Sequence, residues 1–414
     1  MRICFINPHS DPLAKPGEPD SGGQCIVESH LMKYFVKISP DVTIDSFTRL
    51  WGDKPEVEQI ADRARVIRVL CNGQDFIPKE MLWETLPEFV DKMLIRWADE
   101  KRQYDIYHAH YADGGKAALI TMSKKSAPLV FTAHSLGKLK QMVLPDEKAY
   151  RYSVRIPAEQ ETLAKASRII ALNKVEIGHY KELYGITPPK VRVIPNGVDT
   201  EYYKPAPDRD EIRKKLGWEG KRVVFTIGRI DARKGFNLLA SAAADVMHQL
   251  KEAGKEVLFL LPGAGKGRTK AERVVVDEMA ELLGEAVSST AFFPRLSDEE
   301  LLEYYRAADL FVCPSPYEPF GLVVIEAMAC GVPVVSFNSG GPADIISHGV
   351  DGELADIVEG PKSLAKAMVK VLIDEDRRLK MGKMGRKKVE AHYSWDAVAR
   401  STLELYQEVI DARS

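Results

Sequence analysis

Cysteine is scarce and scattered: the 414 residues hold five, Cys4, Cys25, Cys71, Cys313 and Cys330, an odd number set in apolar surroundings. Neither a CxxC pair nor a Cys/His ligand spacing occurs, which excludes a disulfide-stapled scaffold and a zinc module and leaves buried, reduced thiols. Long hydrophobic runs are lacking too. No stretch is long enough to cross a bilayer, and the opening Met-Arg-Ile-Cys-Phe-Ile-Asn-Pro carries too short an apolar run for a signal peptide, so a cytoplasmic location is expected. An excess of one charge is also missing: 58 Lys+Arg stand against 60 Asp+Glu, a net charge of −2. Bulk charge therefore does not serve nucleic-acid binding, and any anionic ligand must be met by a local basic cluster. Internal repeats and low-complexity segments are absent as well.

What is present is a soluble globular composition, 45% hydrophobic and 29% charged. The length exceeds one ordinary core and predicts two domains of about 200 residues each. Strand-like runs at 2–6, 42–47, 64–70, 105–110, 129–134, 168–172 and 191–194 are interleaved with helical periods at 81–97, 116–124, 159–166 and 174–183. After a turn-rich linker, Pro195-Asn-Gly-Val-Asp199 and 202–207, the alternation restarts. Strands are expected at 222–227, 256–261, 290–293, 310–313 and 332–337, and helices at 236–250, 271–283, 298–307 and 320–330, with Ser297 to Glu300 forming a capping box. Residues 362–414 have helical period throughout, and Trp395 with Val398, Leu403, Leu405, Tyr406 and Val409 needs a surface to cover. Alternating strand and helix imply α/β architecture with parallel sheets covered on both faces, where ligands bind beyond the carboxyl ends of strands.

Polar residues collect at those ends. Pro316 to Gly331 carries Glu318 in a loop and Glu326 eight residues on in a helix that Phe320, Gly321 and Leu322 open. First-turn amides and the helix dipole make such a start an anion site, although two glutamates there are also what a solvated helix start carries. Gly22 and Gly23 stand at another helix start, suited to a phosphate or to a simple turn. Arg229 and Lys234 follow the first strand of the second half, where they fit a diphosphate or a solvated basic loop. Leu261 to Gly265 is a glycine turn after a strand, and Gly340 to Asp344 a further glycine-opened helix start.

In the first half, His108 and His110 alternate along a strand end, which sends one toward the core and one toward the crevice. His134 follows the next strand beside Ser135. Lys138, Lys140, Arg151 and Arg155, with Tyr111 and Gln24, form a basic cluster that suits either a phosphorylated substrate or a solvated helix face. Asp208-Arg-Asp210 reads as a helix cap, and no metal site is seen.

Jointly, these segments resemble the retaining glycosyltransferases of the GT-B fold that carry the E-x7-E motif, the glycosyltransferase family 4 group, over nearly the whole chain. Asp20-Ser-Gly-Gly-Gln24, His110-Tyr-Ala-Asp113 and His134-Ser-Leu-Gly-Lys138 are similar to sucrose-phosphate and sucrose synthases. The opening Pro8 to Gly17 resembles the glycosyltransferase that begins mycothiol synthesis from inositol phosphate, and mannosylfructose-phosphate synthase is similar too. Pro195-Asn-Gly and Gly228-Arg-Ile-Asp depart from the sucrose-phosphate pattern, which leaves the acceptor open.

The resemblance implies two Rossmann-like domains facing a central cleft: an acceptor-binding domain at 1–200, a nucleotide-sugar donor-binding domain at 201–392, and a C-terminal helix at 393–414 packing back on the first. It implies that Arg229 and Lys234 hold the donor diphosphate and that Glu326 binds the ribose. Glu318 and the amides of Phe320, Gly321 and Leu322 would serve the donor sugar. Gly22 and Gly23 would approach the phosphates, His134 the sugar, and Gly263 and Leu296 the base. Gln24, Tyr111, Ser135, Lys138, Lys140, Arg151 and Arg155 would hold the acceptor. The implied reaction moves a hexose, from UDP-glucose by preference, to a small phosphorylated acceptor such as fructose 6-phosphate, without cofactor or essential metal. The same chemistry on inositol phosphate, fructose, 3-phosphoglycerate, a lipid or a glycan stays open, as does a nucleotide-sugar epimerase.

Overall fold

Two separate sheets organise the chain, each at the centre of its own unit, Met1–Asn196 with Trp395–Ser414 in one and Gly197–Ser394 in the other. The computed structural model describes residues 1–15, 18–263 and 269–413. Pro16 and Gly17 of the opening segment, Ala264 and Gly265 of the glycine turn, and Ser414 lie outside the described residues.

The first unit holds β1 (Arg2–Ile6), β2 (Thr43–Arg49), β3 (Val57–Ala61), β4 (Ala64–Val69), β5 (Ile106–His110), β6 (Leu129–Thr132), β7 (Arg168–Ala171) and β8 (Val191–Val193) in the order β3-β4-β2-β1-β5-β6-β7-β8. All neighbours run parallel except the β3/β4 hairpin. Alternation along β1 sends Cys4 and Ile6 to one core and Ile3 and Phe5 to the other, as a strand covered on both faces requires. The helix Trp395–Asp411 closes the second of these cores, packing Trp395, Val398, Leu405, Tyr406 and Val409 against the helix Gly23–Ile38. Trp395 stacks on His30 with ring centres 4.9 Å apart.

The second unit holds β9 (Lys221–Phe225), β10 (Glu256–Pro262), β11 (Thr290–Phe293), β12 (Leu310–Cys313), β13 (Val334–Phe337) and β14 (Gly352–Ala355) in the order β11-β10-β9-β12-β13-β14, parallel throughout. Each sheet reverses its winding once, between β1 and β5 in the first unit and between β9 and β12 in the second. Such switch points open crevices beyond the strand ends, the usual ligand position in doubly wound sheets.

The expected strands are present, with two further strands, and the expected helices are joined by short ones such as Gly137–Val143 and Glu147–Tyr150. β3 and β14 are edge strands whose short, partly charged sequences Val-Glu-Gln-Ile-Ala and Gly-Glu-Leu-Ala carry no continuous apolar run. Ser297 and Glu300 form the expected capping box, and Asp208 caps its helix by accepting from the Glu211 amide at 3.0 Å. All five cysteines are free and buried. Among the described residues no helix is long and apolar enough to cross a membrane.

Candidate active site

In the first unit the chemistry gathers beyond β1, β5 and β6. His108 and His110 share a face, ring centres 4.0 Å apart and both buried, which corrects the expectation that they point opposite ways. The reason is the two-residue period of a strand: with one residue between them, two side chains lie on the same side. His108 bonds the hydroxyls of Tyr406 at 2.5 Å and Thr132 at 2.8 Å, so it is a structural ring. Nδ1 of His110 meets Nε2 of His134 at 2.9 Å. Burial lowers the pKa of both strand histidines well below the ordinary range and that of His134 to about 3, so all three rings are neutral.

The chain bends sharply to present these groups. Ser135 donates its amide to the Ala133 carbonyl at 2.6 Å, closing a three-residue turn about His134 at φ 53°. Tyr111 at φ 62°, Asp20 at 55° and Arg151 at 46° are also left-handed. Non-glycine residues hold that conformation only when their surroundings fix it, and such strain concentrates at functional sites. Gly114 explains how the helix Tyr111–Lys124 comes so near β1: a Cβ there would stand 2.4 Å from the Ile6 carbonyl oxygen.

Arg155, 3% exposed, ties the basic cluster together. Its guanidinium donates to the Tyr111 hydroxyl at 2.7 Å, to the Ser135 carbonyl at 2.8 Å and hydroxyl at 2.9 Å, and to Glu159 at 2.7 Å. Burial opposes its charge, but Glu159 and Tyr111 more than offset this and raise its pKa. Lys138 and Lys140 do not join this group. The Lys138 ammonium donates to the Leu183 carbonyl at 2.5 Å above the Tyr184 ring, and Lys140 sits over the Tyr150 ring at 3.7 Å. Their helix, Gly137–Val143, turns both away, a direction that sequence spacing does not carry. Arg151 approaches Glu84 at 3.6 Å, and Gln24 donates to Glu28 at 2.7 Å.

Several site residues escape sequence reasoning. Lys79 pairs with Asp20 and lies within electrostatic reach of Tyr111. His9 donates from Nδ1 to Asp113 at 2.8 Å and stands 4.9 Å from the Tyr111 ring. Glu28, fully buried, accepts from Asn7 at 2.7 Å, Ser10 at 3.3 Å and Gln24. A buried acid in an otherwise apolar helical stripe was the available signal for Glu28. For Lys79 there was none, because its partner is 59 residues away. The helix Gly23–Ile38 begins with no side-chain cap at Gly22, so its first amides stay open to a ligand.

The second unit builds its site from loops after β9 and β12. Lys234 donates to Glu318 at 2.5 Å, both half-buried. Three glycines set that geometry. A Cβ on Gly235 would lie 2.0 Å from the Pro314 carbonyl oxygen, one on Gly340 2.3 Å from that of Glu318, and one on Gly341 2.1 Å from that of Phe320. Gly341 also donates its amide to the Glu318 carbonyl at 2.8 Å. Gly321, at φ 98°, opens the helix Leu322–Ala329 without a side-chain cap. Glu326 accepts from the Tyr305 hydroxyl at 2.8 Å, and burial raises its pKa to about 7. Arg229 is exposed and acts on Asp231, whose pKa falls to about 2 chiefly through Arg233. Gly263 donates to the Phe293 carbonyl at 3.0 Å, and its lack of a side chain makes room for Phe292. Leu296 is half-buried in the loop after β11.

Both polar centres thus occupy the switch point of a doubly wound sheet, one rich in neutral rings and one rich in charge. Residues 30–202 match the family described as Glycosyltransferase Family 4 and residues 208–388 match Glycosyl transferases group 1. A mannosylfructose-phosphate synthase of Agrobacterium fabrum is 32% identical over 98% of this chain and 91% of its own length. A D-inositol 3-phosphate glycosyltransferase of Kineococcus radiotolerans is 31% identical over 100% of this chain and 97% of its own. The structure of sucrose-phosphate synthase from Thermosynechococcus elongatus superposes with a TM-score of 0.81 at 28% identity, covering 99% of both chains. The fold and these matches define a glycosyltransferase with two parallel Rossmann-like sheets, the GT-B fold. The chain belongs to the retaining group 1 glycosyltransferases of family 4.

Proposed function

We propose that the enzyme moves a hexose, glucose from UDP-glucose by preference, to a small phosphorylated sugar or polyol, with fructose 6-phosphate the first acceptor and inositol phosphate the second. The observation that carries this reading is the knot of Arg155, Tyr111 and Ser135 at the ends of β5 and β6. Lys79 lies within electrostatic reach of Tyr111 and supplies a point charge of the kind a phosphate meets. The relatives named for mannosylfructose phosphate and inositol 3-phosphate support a phosphorylated acceptor.

In this reading Arg229 and Lys234 take the donor diphosphate, and the amides of Phe320, Gly321 and Leu322 help Glu318 at the donor sugar. Glu318 meets the sugar hydroxyls, Glu326 the ribose, Gly22 and Gly23 the phosphates, His134 the sugar, and Gly263 with Leu296 the base. The bond from the anomeric carbon to the diphosphate breaks as the acceptor oxygen attacks on the same face. The departing phosphate oxygen takes the acceptor's hydroxyl proton, so no glycosidase-type carboxylate pair is needed. Catalysis is then positioning and stabilisation of the diphosphate charge.

The test is release of nucleoside diphosphate over a grid of UDP-glucose, UDP-N-acetylglucosamine, GDP-mannose and ADP-glucose against fructose 6-phosphate, fructose, inositol phosphate, 3-phosphoglycerate and no acceptor. Release that depends on a phosphorylated acceptor is expected. Equal rates with fructose and fructose 6-phosphate would remove the role given to Arg155.

A further inference from the structure

We propose that His110 is a positioning residue that holds His134 as its Nδ1–H tautomer, so that His134 offers the first unit's open crevice a hydrogen-bond donor rather than an acceptor. The argument rests on the single hydrogen bond between the two rings, His110 Nδ1 to His134 Nε2 at 2.9 Å, which one proton must occupy. If His134 supplied it from Nε2, His110 would have to carry its own proton on Nε2. That nitrogen is buried and has no partner. Orphaned buried N–H groups are rarer in folded proteins than under-satisfied buried acceptors. The proton therefore sits on His110 Nδ1.

A second observation agrees. Oε1 of Glu28 stands 3.9 Å from His110 Nδ1, and a carboxyl oxygen beside that nitrogen favours a proton there. Glu28 is itself fixed by Asn7, Ser10 and Gln24. With Nε2 accepting, neutral His134 keeps its proton on Nδ1, and its ring is only part-buried, unlike that of His110. His9 is held separately, its Nδ1 committed to Asp113. His134 thus presents the crevice with a donor edge, which a hydroxyl oxygen can accept from.

Glu28, His110 and His134 also bring three ligand atoms within 4.8 Å of one another, the size of a metal shell. A metal-bound imidazole normally donates its second nitrogen to an orienting partner. His110 Nε2 has none, so the hydrogen-bonded pair is the arrangement this environment supports.

The proposal deepens the reading of His134 as a sugar contact, but its test does not depend on any substrate. In the 15N-histidine-labelled full chain, long-range proton–nitrogen correlation reads each tautomer, with His134→Gln assigning the signal. A protonated Nδ1 and a bare Nε2 at His134 are expected, unchanged by a chelator. His110→Phe keeps the volume but removes the donor, and His134 should revert to the Nε2–H form common in water. Turnover should fall on the order of 10²-fold, as misorientation does, with acceptor KM little changed. His110→Asn, whose amide nitrogen can stand where Nδ1 did, should restore both. Nε2–H at His134 in the wild type, or a spectrum that chelation changes, overturns the proposal even if His110→Phe does not fold. Failure of the acceptor assay alone leaves it standing.

Discussion

The two switch points solve the same problem with opposite materials. In the first unit the polar centre is made of neutral rings, fixed by the hydrogen bonds of His108 to Tyr406 and Thr132, by that of His110 to His134, and by left-handed backbone at Tyr111 and His134. In the second it is made of ions, Lys234 and Glu318, with side chains 28% and 17% exposed, fixed by glycines packed under their loops. The difference follows from desolvation. A neutral imidazole can be buried and locked by its neighbours, while an ammonium or carboxylate buried as deeply would surrender its charge. An ion that keeps its charge therefore stays half-solvated, and precision moves from the side chain to the backbone beneath it. Arg155 is the instructive exception, buried only because Glu159 accompanies it.

The comparison breaks most visibly at Lys234. Lys234→Ala removes a donor whose proposed value lies in the transition state, and turnover should fall about 10²-fold or more. The lost ion pair is partly exposed, so the unfolding free energy should change by less than about 1 kcal/mol. Steady-state kinetics and thermal melts on the same preparation check both halves. An unchanged kcat would sink the role given to Lys234.

How much of this was legible depended on whether a feature is local. Strand and helix alternation, the capping box at Ser297 and the helix opening at Gly321 are written in a few adjacent residues, and they emerge where periodicity and turn chemistry put them. The two edge strands β3 and β14 are not, because β3 is half-solvated and the short β14 carries a buried glutamate, so neither has the apolar run that marks a central strand. At the site, Arg155, Tyr111 and Ser135 meet although they stand 20 to 44 residues apart in sequence. Their grouping was an inference from charge and resemblance. Lys138 and Lys140 show the cost of that inference, since density of charge in sequence says nothing of which way a short helix turns. His110 shares a face with His108 because the strand period is two residues, and its partnership with His134, 24 residues on, is not local in sequence.

Glycine gives a sharper contrast at intermediate size. At Gly341 an added Cβ meets the Phe320 backbone, with oxygen at 2.1 Å and Cα at 2.4 Å, so Gly341→Ala must displace the loop that carries Glu318. A stability loss of about 1–3 kcal/mol is expected, together with a marked loss of turnover. At Gly22 nothing lies within 4 Å of the added carbon, and φ is an extended −169°. Gly22→Ala should leave the melting temperature unchanged and raise only the donor KM, because the methyl would enter the space proposed above for a phosphate. Equal melting curves for the two variants would mean that the second unit's loops are not pinned by backbone packing.

The smallest effect concerns Glu326. Its carboxyl is raised from an ordinary 4.5 to about 7 by burial, against the pull of the Tyr305 hydroxyl. A group with a raised folded-state pKa binds its proton more tightly in the native chain than in the unfolded one. Its contribution to stability is complete below about pH 4.5 and declines as pH climbs to about 7, beyond which it is gone and the profile is flat. Glu326→Gln removes that decline, worth about 2 kcal/mol at a partly exposed position. The slope should lessen rather than vanish, since Glu176, raised to about 7 by burial, and Glu28, raised further, titrate against the fold in the same direction. Urea unfolding across pH 4.5 to 8 for both proteins reads the difference. A Gln variant with the wild-type slope would show that Glu326 is ionised throughout and that its charge does not depend on pH.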